Sequence, residues 1–253
     1  MPHRPVEDRD VDPGLKSVAS RAPWPCPGSR VFAVLTVLLA TSCVPTLKEY
    51  QGHRVFNPVY LFYLESSGRD QWQMPEEVLD ALQLSEGAGV ADIGAGGGYF
   101  TERLARRVGP AGHVYAVDVQ PVMIRKQQQR VQKQRLTNVT VIHGRFEDPL
   151  LPPQSCDLAF FSSVYKEIDD RVNYLKRVRA SLKEGGRVAI LEYRVEARAP
   201  GPPRKSRLPE PQVIGELRAA GFRLEAQFDF LPREYFLVFG QDRPDAAAAP
   251  LAR

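Results

Sequence analysis

The chain predicts an α/β fold, a three-layer sandwich in which helices cover both faces of a seven-stranded, mostly parallel sheet whose last strand runs antiparallel. Three observations carry this. From residue 75 onward, short apolar runs alternate with helical patterns, each closed by a glycine or proline signal. The first run, VADI, opens into the glycine turn GAGGG at residues 94–98, and the next, HVYAVD, closes on Asp118. The last two strand patterns are joined by a short link around LPR, which suits an antiparallel pair, whereas parallel neighbours need a long crossover.

Residues 75–84 begin with proline and two acids and place Val78, Leu79 and Leu82 on one face, which predicts a helix leading into the first strand. Residues 99–108 continue from the glycine turn as a helix, Gly109 and Gly112 break it, and 113–118 form the second strand. A helix over 121–135, a strand at 139–142 and a fourth strand at 157–162 follow. The next helix, 169–183, is stopped by Gly185 and Gly186 before strand five at 187–193. A helix at 211–220 ends at Gly221 and feeds two final strands, 222–230 and 234–239. Ligands of such a sheet bind at the carboxyl ends of its strands.

The whole chain of 253 residues, with 43% hydrophobic content, is long enough for one such domain, expected over 75–240 behind a cap at 44–74. Residues 1–30, rich in proline and charge, and the tail 241–253 read as disordered. Between them, VFAVLTVLLA at 31–40 is apolar but too short to cross a bilayer core, which takes about 20 residues as a helix. With Arg21 and Arg30 before it and LLATSC at its end, the segment 31–43 resembles a signal core with a bacterial lipobox, in which Cys43 would be lipidated and anchor a membrane-associated lipoprotein. The other reading is a buried or membrane-surface helix ahead of a cytoplasmic enzyme. Cys26, Cys43 and Cys156 form no C-x-x-C pair and the four histidines form no ligand-like pair, so no metal is expected. A net charge of +4 permits contact with anionic surfaces without demanding it. Arg125, Lys126, Arg130, Lys133 and Arg135 make the 121–135 helix basic. No aromatic residue is interleaved for base stacking, so a solvated face is expected and no nucleic-acid partner.

The glycine turn carries the chemistry. Glycines at 94, 96, 97 and 98 let main chain approach a ligand where any β-carbon would collide. A dinucleotide fingerprint counted from Gly94 would need its third glycine where Tyr99 stands. No Lys or Arg lies between Asp92 and Tyr99, so a polyphosphate lacks its usual cation. What remains is D-x-G-x-G-x-G from Asp92, with Asp118 twenty residues past Gly98 and placed to accept from both hydroxyls of an adenosine ribose.

With these residues in place, the chain resembles the class I S-adenosylmethionine-dependent methyltransferases, most closely the ubiquinone/menaquinone-biosynthesis type that acts on small molecules. The likeness runs from about residue 69 to 240. VADIGAGGGYFT, VYAVDVQPVMI, GRFEDPLLPPQSCDLAFFSS and LKEGGRVAILEYR occur in the family's order. The resemblance implies a Rossmann-like sheet, S-adenosylmethionine as cofactor, and a small-molecule acceptor. It places Asp92, Gly94, Gly96 and Gly98 at the methionine end and Asp118 and Val119 at the ribose, with Ser162 also cofactor-binding; at the adenine either Glu147 or a backbone carbonyl takes the amino group, or the ring rests mainly against Phe146. Where relatives read like G-D-A-E-D this chain has GRFED, so Arg145, which has no acceptor, stands in the carboxylate's place. Where relatives often have histidine, as in VYHE, it has Lys166.

Methyl transfer asks the protein to align an acceptor, exclude water and remove a proton if the acceptor starts protonated. Acceptor-side groups are expected in SVYKEIDD, LEYR and GRDQWQMP: Glu167 as candidate base with Tyr165 and Lys166 beside it, Glu192 and Arg194, and Arg69, Asp70 and Trp72, with Tyr60 as a further aromatic. Two functions follow from the same residues. One is transfer to a small, lipophilic acceptor. The other is a membrane-tethered protein of this fold that binds S-adenosylmethionine without turnover.

Overall fold

The computed structural model describes residues 47–58, 68–198 and 201–242. Residues 1–30, the 31–43 segment with Cys43, Tyr60, and the expected tail from residue 243 lie outside the described residues. Inside the expected cap, β1 (Leu47–Tyr50) and β2 (His53–Phe56) form an antiparallel hairpin. Its two-residue link, Gln51-Gly52, has φ of 51° and 81°, meeting the demand of a type I′ turn for positive φ at both positions. The cap continues into α1 (Gly68–Gln73) and α2 (Pro75–Leu82), where Pro75 occupies the first turn and needs no donor.

The central apolar runs become strands because other strands and helices bury them on both faces, while the two edge strands stay half-buried. β3 (Gly89–Ile93), β4 (His113–Asp118), β5 (Val139–His143), β6 (Cys156–Ser162), β7 (Leu182–Tyr193), β8 (Phe222–Phe228) and β9 (Glu234–Gln241) form one sheet, in the order β5-β4-β3-β6-β7-β9-β8. All neighbours are parallel except β9, which is antiparallel to both β7 and β8. Between them run α3 (Tyr99–Val108), α4 (Pro121–Lys133), α5 (Arg171–Ser181) and α6 (Glu210–Ala219). One core layer packs Val78, Leu79 and Leu82 of α2 and Phe100, Leu104 and Val108 of α3 against the sheet. The other packs Leu175, Val178, Val213 and Leu217 of α5 and α6 against its opposite face, with Cys156 fully buried among them.

Two boundaries differ from the pattern for identifiable reasons. The expected helix 169–183 starts at Arg171, because Asp170 caps it by accepting the Asn173 N–H. It ends at Ser181, because the Ala180 and Ser181 carbonyls accept from Gln154 and Ser155 while Leu182 already pairs with Cys156. The glycines at 185 and 186 therefore fall inside an irregular strand rather than after a helix. The basic helix α4 buries only Met123 and Gln127, which leaves its charges on the solvated face.

The chain passes from β3 outward to β4 and β5, then returns to the other side of β3 as β6. The carboxyl ends of β3 and β6 thus form the switch point at which such sheets bind ligands. Contact there is close. A β-carbon on Gly94 would sit 2.3 Å from Val164 Cγ2, so the loop after β6 packs directly on the glycine turn.

Candidate functional site

The turn after β3 is built from left-handed backbone: Gly94, Gly96 and Gly98 have φ of 66°, 57° and 85°. Only at Gly96 does the space beside the main chain stay open, with no atom nearer than the Gly94 oxygen at 4.0 Å from a would-be β-carbon. Asp118, at the end of β4, faces this turn. Its Oδ2 accepts the Gly96 N–H at 2.9 Å and its Oδ1 the Gln120 N–H at 2.9 Å. A carboxylate offers two lone pairs per oxygen, so acceptor capacity beyond these main-chain donors remains for a ribose hydroxyl. Gln127 of α4 donates to the Gly96 carbonyl at 2.9 Å, and its own Oε1 is buried without a hydrogen-bond partner. Asp92 is held from below by Thr101 Oγ1, which donates to it at 2.6 Å.

Burial pushes both carboxyls up to about 6. At Asp118 the main-chain donors Gln120, Gly96 and Val119 oppose the shift, and at Asp92 the Thr101 hydroxyl and Arg69 do. Val119 is half-buried, and its carbonyl accepts from His143 Nε2 at 3.0 Å.

The expected adenine end lies in the loop after β5. Arg145 and Asp148 close a tight turn through their main chains, leaving Arg145 and Glu147 exposed. Phe146 at its tip is stacked on His53 of β2, with centroids 3.8 Å apart, and lies 6.1 Å from the Tyr50 ring. His53 Nδ1 is 2.6 Å from Asp169 Oδ2. The hairpin therefore ties the loop after β5 to the loop after β6, a link that pattern reading missed.

Beyond Gly94 the loop after β6 carries the expected acceptor-side residues. Ser163 adopts φ 57°, a strained conformation for a side chain, held by its N–H to the Leu191 carbonyl and its hydroxyl to Glu234 Oε1 at 2.8 Å. Ser162 Oγ accepts from Gln73 Nε2 at 3.3 Å, and the same amide donates to Glu234 at 3.0 and 3.2 Å. Gln73 in turn accepts from Arg69 Nε, and the Arg69 guanidinium lies 3.7 Å from the centre of the Tyr99 ring. Asp70 accepts from the Tyr99 hydroxyl and from Arg103. Glu234 is fully enclosed, and burial pushes its carboxyl up to about 7 against the pull of Ser163, Arg69 and Gln73. Trp72 and Tyr193 pack with ring centroids 5.9 Å apart, both nearly enclosed.

Glu167 keeps 13% of its side chain exposed. Burial pushes its carboxyl up to about 7, with Lys166 and the Phe56 N–H pulling it down and Glu192 and Asp118 adding to the rise. Lys166 Nζ lies 3.8 Å from Glu167 Oε1 and 3.6 Å from Glu192 Oε2. Tyr165 is placed elsewhere. It is fully buried in the core, and its hydroxyl donates to Glu216 Oε2 at 2.9 Å, a carboxylate that Arg171 also grips. The expected pair is thus divided: Glu167 stands with the site and Tyr165 with the packing of α6. Arg194 likewise forms an ion pair with Glu210 at 2.7 Å. Of the residues now in the network, Gln73, Gln127 and Glu234 carried no motif. Gln127 alone had a signal, its one-turn spacing from Met123 on the inward face of α4.

The sheet order, the glycine turn facing an acid at the end of the second core strand, and the absence of a phosphate-binding cation in that turn define the class I methyltransferase arrangement. A family model described as a methyltransferase domain matches residues 84–217, more than half of the chain, and the chain belongs to that family. The demethylmenaquinone methyltransferase of Geobacillus sp. (strain WCH70) is 28% identical over 149 residues, covering 57% of this chain and 64% of that protein. That of Listeria welshimeri is 24% identical over the same length, covering 63% of its own chain. The chain thus spans just under two thirds of the length of these relatives. An S-adenosylmethionine-dependent methyltransferase from Aquifex aeolicus superposes with a TM-score of 0.71 at 28% identity, covering 74% of this chain and 100% of that one. A Haemonchus contortus phosphoethanolamine N-methyltransferase, solved with S-adenosyl-L-methionine, shares the fold at 18% identity and a TM-score of 0.54, covering 68% of this chain and 53% of its own.

The residues present fit S-adenosylmethionine, the cofactor of this family. Open space at Gly96 takes an amino-acid tail against bare main chain, Asp118 keeps acceptor capacity for a ribose hydroxyl, and the spare Gln127 oxygen lies beside the same turn.

Proposed function

We propose that the protein transfers a methyl group from S-adenosylmethionine to a small, lipophilic acceptor, with demethylmenaquinone, the acceptor in the names of its relatives, as first candidate. The observation that carries the reading is the bond from Gly96 N–H to Asp118, which joins the two halves of a phosphate-free nucleoside pocket. When bound, S-adenosylmethionine supplies a methyl on a cationic sulfur, which leaves as a neutral thioether.

The chain's own residues then have limited tasks. Gly94, Gly96 and Gly98, with Asp92 beneath them, hold the amino-acid end; Asp118 and Val119 hold the ribose. Phe146 gives the adenine an apolar neighbour, while Glu147, exposed beside it, is a carboxylate that can replace the one lost at Arg145. Ser162 and Gln73 fix the floor between the cofactor and acceptor sides. Glu167 takes the acceptor's hydroxyl proton onto its carboxylate, so that the oxygen, or the ring carbon it activates, carries the electron pair of the new bond to carbon. A base held near neutrality suits that step, because it is deprotonated at working pH yet still basic. The nearly enclosed Trp72 and Tyr193 rings favour an aromatic, weakly polar acceptor.

The test is incubation of the purified protein with methyl-labelled S-adenosylmethionine and a reduced short-chain demethylmenaquinone. Label is expected in the extracted quinone. Saturable adenosylhomocysteine binding with no label in the quinone or in a membrane lipid extract would overturn the acceptor class.

A further inference from the structure

We infer that Glu192 is a positioning residue for the reaction, holding the Lys166 ammonium midway between itself and Glu167 so that the base never closes a full ion pair. The inference rests on the reading of Glu167 as the proton acceptor.

Glu192 sits near the end of β7, in register with Tyr235 of β9, so its backbone is fixed by the sheet. Its side chain is 1% exposed. Its Oε1 accepts the Lys166 main-chain N–H at 3.2 Å, which anchors the 165–167 turn, while its Oε2 has no hydrogen bond. The Lys166 Nζ donates instead to the Ser163 carbonyl. It stops 3.6 Å from Glu192 Oε2 and 3.8 Å from Glu167 Oε1, outside hydrogen-bond reach of both. Two nearly equal distances mean two nearly equal pulls on one cation in a poorly screened interior.

The groups facing Glu167 are Lys166 on its own turn, Glu192 from β7, Asp118 from β4 and the Phe56 N–H from β2. One cation therefore stands between two carboxylates, Glu167 and Glu192. Neutralising Glu192 leaves Lys166 to Glu167 alone, and the pair closes, making Glu167 a weaker base. Removing Lys166 takes away the cation that lowers it, and Glu167 holds its proton more tightly. If Glu192 were only a buried partner bracing the turn, its loss would cost stability and turnover without moving the Glu167 titration.

The experiment is a carbon-13 carboxyl NMR titration of Glu167, assigned by Glu167→Gln, in the wild-type protein, Glu192→Gln, Glu192→Asp and Lys166→Met. The Glu167 midpoint is expected to fall by about one pH unit in Glu192→Gln, to rise by a similar amount in Lys166→Met, and to return toward wild type in Glu192→Asp. An unchanged midpoint in folded Glu192→Gln overturns the inference. If that variant does not fold, a midpoint that fails to rise in Lys166→Met overturns it equally. The reading of Glu167 as base stands or falls separately: it fails if Glu167→Gln keeps the wild-type rate and acid limb, whatever the titrations show.

Discussion

Replacing Asp118 with asparagine separates the charge of this side chain from its shape. The carboxylate accepts from Gly96 and Gln120 and, in the proposed pocket, uses its remaining acceptor capacity for the ribose. Asparagine keeps one acceptor but turns a donor toward one of two main-chain N–H groups at a site only 7% exposed. Hydrogen bonds to a charged partner contribute about 1.5–3 kcal/mol, so the dissociation constant for adenosylhomocysteine should rise roughly 10- to 150-fold. Titration calorimetry reads this directly. The wild-type protein should also lose affinity as pH falls through about 6, where the buried carboxyl takes up its proton, and Asp118→Asn should lose less there, keeping only the part due to Asp92. The same group has an opposite effect on folding. Its raised value means that the folded chain holds a proton which the unfolded chain, at an ordinary 3.8, has lost, so this carboxyl's contribution makes stability decline as pH climbs from about 4 to about 6 and stay lower above. A folded Asp118→Asn protein that binds adenosylhomocysteine within twofold of wild type, or a wild-type affinity independent of pH between 5 and 8, would refute the assignment of this acid to the ribose.

Further outcomes are expected elsewhere. Gly94→Ala should lower stability by about 2–4 kcal/mol, because the new methyl meets Val164 at 2.3 Å in a left-handed backbone, whereas Gly96→Ala should cost about 1 kcal/mol and show its main effect on cofactor affinity; thermal melts beside calorimetry separate the two. Tyr165→Phe should cost about 1 kcal/mol of stability and leave the methyl-transfer rate unchanged, since its hydroxyl serves Glu216; a hundredfold loss of rate in a folded variant would return Tyr165 to the chemistry. The lipobox-like LLATSC predicts a mature protein starting at Cys43 with added acyl mass, and intact mass spectrometry showing an unprocessed Met1 would remove that expectation.

What the sequence revealed and what it hid divide along separation in the chain. Asp92, the glycines and Asp118 were legible because the pocket they form is local: strand, turn, helix and strand follow one another, and the chemistry demands bare backbone and an acid at set distances. The hairpin was missed although Gln51-Gly52 is a recognisable two-residue turn, because its flanking strands are short and lack a clear apolar alternation. Glu234 was hidden more deeply. Its partner Gln73 is 161 residues away, and neither residue type, read alone, announces a buried hydrogen bond.

The segment SVYKEIDD shows where pattern reading stops for a geometric reason. Glu167 was the candidate base and Tyr165 a second candidate beside it while the backbone between them was unknown. Residues 165–167 form a single 3-10 turn, in which successive side chains are rotated by about 120°. Two residues on, the direction has changed by roughly 240°, so the two side chains cannot share a face. The phenol goes into the apolar layer beneath α6, where the Glu216–Arg171 pair satisfies its hydroxyl, and the carboxylate goes to the side where Lys166, Asp118 and the Phe56 N–H meet. A helical or extended backbone would have divided them differently. The assignment of the base therefore rests on the fold of three residues, and the Tyr165→Phe and Glu167→Gln pair of variants tests that turn as directly as it tests the chemistry.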